Sequence, residues 1–226
     1  MNYLLRVLLP DRPGSLGALA TALGEVGADI TALDVVERGP DGAVDDLVVE
    51  LAAPAMADAL LTAAHGVAGV VVESLRPYHA ARDIHRDLEL VDAIAASPGR
   101  SLELLTQYAP EVFRAGWAMV LEQASDGVHV RHRSPAAPEG SVPAPWLPLH
   151  SARRLATNEE WVPERWHTLG MELAAAPVGS AELAILVGRP GGPAFRASEV
   201  VRLAHLAGIA ATVQDGAEDK ESVSLP

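Results

Sequence analysis

The hydrophobic pattern of the chain changes its period early, where residues 8–19 read LLPDRPGSLGAL. Apolar residues before Pro10 alternate as in a β-strand, whereas Leu16, Leu19 and Leu23 follow at helical spacing. The loop between the two runs carries an acid, a base, a proline and a glycine. Such a loop is either a plain connecting turn, or it leaves the first amide N–H groups of the helix free to bind an anion.

The pattern continues as strand and helix up to residue 78. The turn formers GPDG at residues 39–42 separate two strand-like runs and predict a hairpin. Pro54 opens a second predicted helix, and residues 69–78 form a fourth strand. The order βαββαβ predicts a ferredoxin-like α+β domain over residues 1–78, with a four-stranded sheet and both helices on one face.

Strand alternation gives this sheet two faces of different polarity. One face is apolar and suits the helices, whereas the other mixes apolar residues with Arg6, Asp34 and Glu50. We therefore expect this second face to be partly covered by another domain or another chain, with Arg6 close to Asp34 or Glu50. The edge strands of an isolated four-stranded sheet also predict a homodimer in which the sheets of two copies meet.

The first 78 residues resemble an ACT domain, the amino-acid-sensing regulatory module. The resemblance covers residues 3–78 and rests on the order βαββαβ, the loop DRPGSL and the segment GADITALDV. In that family two sheets commonly pair side by side, and small ligands bind between the first loop of one copy and the second strand of its neighbour. The resemblance implies two groups of binding residues: Asp11, Arg12, Gly14, Ser15 and Leu16 from one copy, and Asp29, Ile30 and Thr31 from the other.

An amino acid is the ligand that this resemblance implies. Its carboxylate suits the amide N–H groups of residues 14–16 or the guanidinium of Arg12, and its ammonium suits Asp11 or Asp29. In the alternative interpretation Asp11 caps the helix and Arg12 is solvated, so the loop binds nothing.

Residues 83–214 form a second predicted α+β domain. Helices open it, two hairpins at residues 115–134 and 170–189 supply an antiparallel sheet, and a helix from about Arg196 to Val213 closes it. This order, with a long irregular middle, is similar to a GAF domain, a family whose members bind small ligands or dimerise. Residues 215–226 are polar and acidic, and we expect a disordered tail there.

The irregular middle of this second domain holds three of the four tryptophans. Trp146, His150, Arg153 and Trp166 are candidates for a second pocket, in which aromatic rings line the wall and an arginine meets an anion. In the alternative interpretation the tryptophans pin a long loop to the sheet.

Composition excludes several classes of protein. The 226 residues contain no cysteine, which removes disulfides, thiolate nucleophiles and cysteine-containing zinc sites. The formal net charge is −13 and no segment is basic, so we expect no nucleic-acid partner. No apolar run reaches the roughly 18 residues that span a bilayer, and no signal peptide is evident, so we expect a cytoplasmic protein without a membrane partner.

The sequence thus predicts a non-enzymatic regulatory or sensor protein that binds a small ligand, foremost an amino acid, at an ACT dimer interface and couples it to a GAF-like domain. We expect no catalytic residues, no metal site and no cofactor, and a separate protein as a possible output. Two alternatives stay open: a structural dimerisation scaffold without ligand, and an enzyme that uses the tryptophan, histidine and arginine residues of loop 146–167.

Overall fold

A computed structural model describes residues 1–51, 56–78 and 86–223, with side chains up to residue 217. The chain divides into two compact units, Met1–Ile84 and His85–Pro226. Each unit combines helices with one antiparallel sheet, so the predicted α+β fold class is confirmed.

The first unit has the predicted order of elements. In chain order they are β1 (Asn2–Leu9), α1 (Ser15–Glu25), β2 (Ala28–Gly39), β3 (Gly42–Leu51), α2 (Ala57–His65) and β4 (Val71–Pro77). The strand order is β2-β3-β1-β4, which makes β2 and β4 the edges of the sheet. Pro54, which the sequence predicts to open α2, lies outside the described residues.

The two helices cover one face of the first sheet. Leu19 and Leu23 of α1, and Leu60 and Ala64 of α2, recur four residues apart and are fully buried. They form one core with alternate residues of the two central strands, which are Leu5, Val7, Leu9, Leu47, Val49 and Leu51. This core holds α1 and α2 against the sheet.

A β-bulge in β2 changes which residues of that strand face the helices. The register shifts between Ile30 and Ala32, so Ile30 lies opposite Val49 and packs on the helix side. Simple alternation assigns Ile30 to the opposite face and is wrong here. The bulge adds one residue to the strand, and a strict two-residue period does not detect such an addition.

The second unit has a five-stranded sheet with strand order β6-β5-β9-β8-β7. Its elements are α3 (Arg86–Ala96), a 3-10 turn (Pro98–Arg100), α4 (Ser101–Val112), β5 (Trp117–Ala124), β6 (Gly127–Arg133), β7 (Arg153–Leu155), α5 (Glu164–Thr168), β8 (Glu172–Val178), β9 (Ser180–Arg189) and α6 (Ala197–Val223). The two predicted hairpins are β5–β6 and β8–β9. Helices α3, α4 and α6 pack on one face of this sheet.

The last helix is longer than the sequence pattern indicates. α6 continues to Val223 instead of ending near Val213, so residues 215–223 are helical in this structure. Glutamate and lysine are good helix formers, and an exposed helical turn needs no apolar face.

Candidate functional site

The loop at residues 10–14 joins β1 to α1 and leaves the start of the helix open. Gly14 is the N-cap of α1, with a left-handed φ of 92° that glycine adopts without steric cost. No side chain caps the helix, and its first turn carries no acidic residue. The N–H of Ser15, one of the amides predicted to bind a carboxylate, instead donates to Arg12 O at 3.3 Å. The N–H of Ala18 donates to Gly14 O at 2.9 Å, so the amides of Leu16 and Gly17 precede the helical ladder. This helix start can therefore accept an anionic group.

The capping interpretation of Asp11 is wrong. The N-cap of α1 is Gly14, three residues beyond Asp11, and no side-chain hydrogen bond caps the helix. Asp11 and Arg12 are both exposed, so Arg12 is solvated as that interpretation expected. The loop thus carries two solvated charged side chains, and neither of them caps the N-terminus of α1.

A close backbone approach holds the start of the loop. A Cβ at Gly42 would lie 2.2 Å from Leu9 O, and Gly42 has a φ of 135°. Only glycine allows β3 to begin so near to the end of β1. The position from which the loop leaves the sheet is therefore fixed by the β2–β3 turn.

The two predicted groups of site residues lie at opposite ends of the sheet in one chain. Leu9, where the loop begins, pairs with Ala43 of β3, whereas Asp29 pairs with Glu50. Seven residues along a strand correspond to about 24 Å. Asp29 and Thr31 are exposed and Ile30 is half-buried, as is Ser15 in the other group. A single chain therefore does not bring the two groups together.

A polar residue that the sequence analysis did not select lies at the loop end of the sheet. Asp45 pairs in register with Val7 of β1 and Val35 of β2, on the face that the helices cover. It is 4% exposed, and its Oδ1 atom is buried without a hydrogen-bond partner among the described residues. Burial raises the pKa of the Asp45 carboxyl; Arg38 lowers it, while Asp46 and Asp34 raise it further. An acidic residue at a core-facing position of a strand was the signal that could have identified it.

Ser15 carries a second unpartnered group at the same end. Its Oγ atom is buried and has no hydrogen-bond partner among the described residues, although the residue as a whole is half-buried. Ser15 is the first residue of α1 and follows directly after Gly14. Two buried oxygens and an open helix start therefore belong to one end of the first unit.

Arg6 forms a buried ion pair with Asp46, a residue that the sequence prediction did not name. Its Nη2 and Nε atoms donate to the two carboxylate oxygens of Asp46, each at 2.6 Å, and the two side chains are 1% and 0% exposed. Arg6 lies directly opposite Asp46 in the β1–β3 register, and Asp46 in turn lies opposite Asp34. Register thus identifies Asp46 as a partner of Arg6 that strand alternation alone did not select, while the expected proximity of Arg6 to Asp34 or Glu50 stays a prediction.

The four candidates for a second pocket separate into two buried and two exposed residues. Trp146 and Trp166 are 8% and 1% exposed and belong to the core on the sheet face opposite the helices. His150 and Arg153 are exposed. The tryptophans thus occupy the positions expected if they pin the loop to the sheet, and the second pocket stays a prediction.

The segment at residues 142–149 behaves as a strap across this second face. Its buried residues alternate with exposed ones, and they are Val142, Ala144, Trp146, Leu147 and Leu149. The N–H of Leu149 donates to Ala181 O at 2.7 Å, which ties the strap to the start of β9. Side chains of the strap therefore pack on this face of the sheet.

Comparisons with known proteins give one family match and several similar folds. Residues 3–69 match the family model for the ACT domain. No curated protein matches the chain in sequence. Among solved structures, free methionine-R-sulfoxide reductase from Neisseria meningitidis is similar with a TM-score of 0.50 and 13% identity over 64% of this chain and 98% of that one.

Other similar structures are named as GAF domains. The GAF domain of phosphoenolpyruvate-protein phosphotransferase from Acinetobacter has a TM-score of 0.47 and 12% identity over 64% of this chain and 99% of that one. The GAF domain/HD domain protein from Geobacter sulfurreducens has a TM-score of 0.44 and 13% identity over 57% of this chain and 97% of that one.

Within the part of the chain that the structure describes, the helices fall short of the length and apolarity that a bilayer crossing requires. Residues 3–69 thus match the model of the ACT domain, and the chain shares the fold of free methionine-R-sulfoxide reductase over 64% of its length.

Proposed function

We propose that the protein is a non-enzymatic sensor whose ACT domain binds an amino acid between two copies of the chain. The observation that carries the proposal is the open start of α1, which has a glycine N-cap, no capping side chain and no acid in its first turn. Such a helix start suits the carboxylate of an amino acid.

A second copy of the chain can place its residues Asp29 to Thr31 beside the loop at residues 10–14. β2 is an edge strand, so a partner's β2 can pair with it and extend the sheet. If a two-fold axis relates the two strands, the partner's β2 runs in the reverse direction. Its first residues, Asp29 to Thr31, then lie toward the loop end of the neighbouring sheet. Two copies can thus bring together the two groups of residues that lie far apart in one chain.

Exposed apolar side chains beside this edge favour the same arrangement. Leu33 and Val35 of β2 are each 43% exposed, and they face the side on which the helices pack. Leu16 at the start of α1 is exposed as well. Burial of these residues between two copies contributes about 25 cal/mol for each Å² of apolar surface removed from water.

The GAF-like domain serves, in this proposal, as the responding part of the protein. Its second sheet face is filled by the strap at residues 142–149, so an internal ligand pocket is not needed to explain those residues. A ligand that two chains hold together favours the assembled state and shifts the population of the domain attached to it. The output then passes to a separate protein.

A thermal-shift screen with each of the twenty protein amino acids tests the proposal. Saturable stabilisation by one or a few of them supports the sensor. No stabilisation by any amino acid contradicts it and favours the structural scaffold. Turnover of an amino acid without stabilisation favours the enzyme that uses loop 146–167.

A further inference from the structure

Asp45 is buried in the first unit without a complete set of partners. It is 4% exposed, and its Oδ1 atom accepts no hydrogen bond from the described residues. A carboxylate removed from water without compensation destabilises the fold. A buried polar group without a protein partner is characteristic of a site that a ligand completes.

Register puts Asp45 at the end of the sheet from which the loop departs. It pairs with Val7 of β1, two residues before Leu9, and it shares the helix-covered face with Leu47. Val7 and Val35, which lie opposite it in the two neighbouring strands, are apolar and offer its carboxylate no hydrogen, whereas the exposed Arg38 acts on it electrostatically and Oδ1 still accepts no hydrogen bond from the described residues. The unpartnered Oγ of Ser15 belongs to the same end, at the first position of α1.

The two acids expected to meet the ligand's ammonium group are less suited to it as long as they stay open to water. Asp11 and Asp29 are both exposed in the single chain, and an ion pair that remains exposed contributes little because water screens it. A buried carboxylate interacts more strongly with a cation, since the surrounding dielectric is low.

We propose that Asp45, assisted by Ser15, recognises the ammonium group of the ligand, so that the site selects zwitterionic amino acids over simple carboxylic acids. This inference rests on the proposed function and deepens it. The start of α1 takes the carboxylate, and Asp45 and Ser15 take the hydrogens of the ammonium group. The ligand thus supplies hydrogen bonds to two buried oxygens that have no hydrogen-bond partner among the described residues.

Calorimetric titration of the full-length protein tests this assignment. Each amino acid that stabilises the protein is titrated beside the carboxylic acid that lacks its amino group, such as propionate for alanine. We expect the wild type to bind the amino acid about tenfold or more tightly than its deaminated counterpart. Equal affinities would overturn the inference without any variant.

The variants Asp45→Asn and Asp41→Asn form a matched pair. Asp41 is exposed in the β2–β3 turn, so its substitution should change neither affinity. Asp45→Asn should lose about tenfold in affinity for the amino acid and bind the carboxylic acid as before, while the free variant melts no lower than the wild type. Ser15→Ala should give a smaller loss of the same kind, and it serves if Asp45→Asn does not fold.

The outcomes separate this inference from the proposed function. Wild-type affinity for the amino acid in both Asp45→Asn and Ser15→Ala overturns the role of these residues and leaves the sensor intact. Absence of amino acid binding to the wild type overturns both.

Discussion

At the residue scale, two adjacent acids on β3 have opposite roles because successive strand residues face opposite sides of the sheet. Asp46 is held by Arg6 through two hydrogen bonds of 2.6 Å, and neither side chain is open to water. Asp45 faces the helices and keeps one buried oxygen without a partner among the described residues. We expect the pair of Arg6 and Asp46 to stabilise the fold, whereas Asp45 is part of the binding site that we propose.

Substitution of Arg6 by methionine should destabilise the protein strongly. The change leaves the carboxylate of Asp46 buried without its cation, which typically costs about 3–5 kcal/mol. The double variant Arg6→Met, Asp46→Leu should recover most of the loss, because two apolar residues replace the pair. Urea unfolding measures both free energies, and a loss below about 1 kcal/mol in the single variant would contradict a structural role for the pair.

Asp45→Asn should change how the free protein responds to pH. Burial raises the pKa of Asp45 in the folded state above its unfolded value, so the unfolded chain gives up the proton first as the pH rises. The ionised carboxylate therefore destabilises the fold at neutral pH, and this penalty disappears below the unfolded pKa. The groups that act on it are Arg38, Asp46 and Asp34.

We accordingly expect Asp45→Asn to be more stable than the wild type at neutral pH, with the difference shrinking as the solution is acidified. Urea unfolding of both proteins across the acid range measures it. A variant that is less stable at neutral pH than in acid, relative to the wild type, would show that Asp45 is favourably paired in the free protein.

At the element scale, the start of α1 is determined by two glycines with opposite requirements. Gly14 has a φ of 92°, whereas Gly17 lies inside the helix with no atom within 4 Å of a Cβ placed there. Gly14→Ala should cost about 1–2 kcal/mol because alanine is strained in the left-handed region. Gly17→Ala should stabilise by about 0.5–1 kcal/mol through helix propensity. Chemical unfolding of the two variants checks the prediction, and a shift of the same sign in both would contradict this helix start.

Helix α5 of the second unit gives a prediction of the same kind, because its Trp166 belongs to the core on the sheet face opposite the long helices. Trp166 is 1% exposed and its ring lies 5.2 Å from that of Trp117, so Trp166→Ala should cost about 3–5 kcal/mol. His150→Ala, at an exposed position in the same region, should stay within about 0.5 kcal/mol of the wild type. Denaturant midpoints compare the two variants. A large loss of stability in His150→Ala would contradict this prediction and indicate that the His150 side chain makes stabilising contacts.

At the scale of the whole molecule, long periodic runs predict the fold and short or irregular segments do not. The order βαββαβ and the two hairpins of the second unit follow from alternation and turn residues. β7 has three residues and α5 has five, too few for either period to be visible. The bulge at Thr31 and the partner of Arg6 depend on strand register, which one strand's sequence does not contain.

The candidate site was predictable in part for the same reason. The loop residues Asp11 to Leu16 stand out locally, because the break between two hydrophobic periods is visible in the sequence. Asp45 is about thirty residues away along the chain and reaches the loop end only through its pairing with Val7. The separation between this loop and the second predicted group, Asp29 to Thr31, becomes apparent only from the strand order.

The central claim is that an amino acid binds between two copies of the chain, and sedimentation velocity with and without that amino acid tests it most directly. If both copies hold the ligand, the ligand must raise the affinity of the two copies for each other by the same factor by which dimerisation raises the affinity for the ligand. We expect the dimer to persist at lower protein concentrations when the amino acid is present, and the edge variant Leu33→Lys, Val35→Lys to be monomeric and to bind it weakly. A monomer at all concentrations, or a dimer whose dissociation constant is unchanged by a saturating amino acid, would contradict the claim.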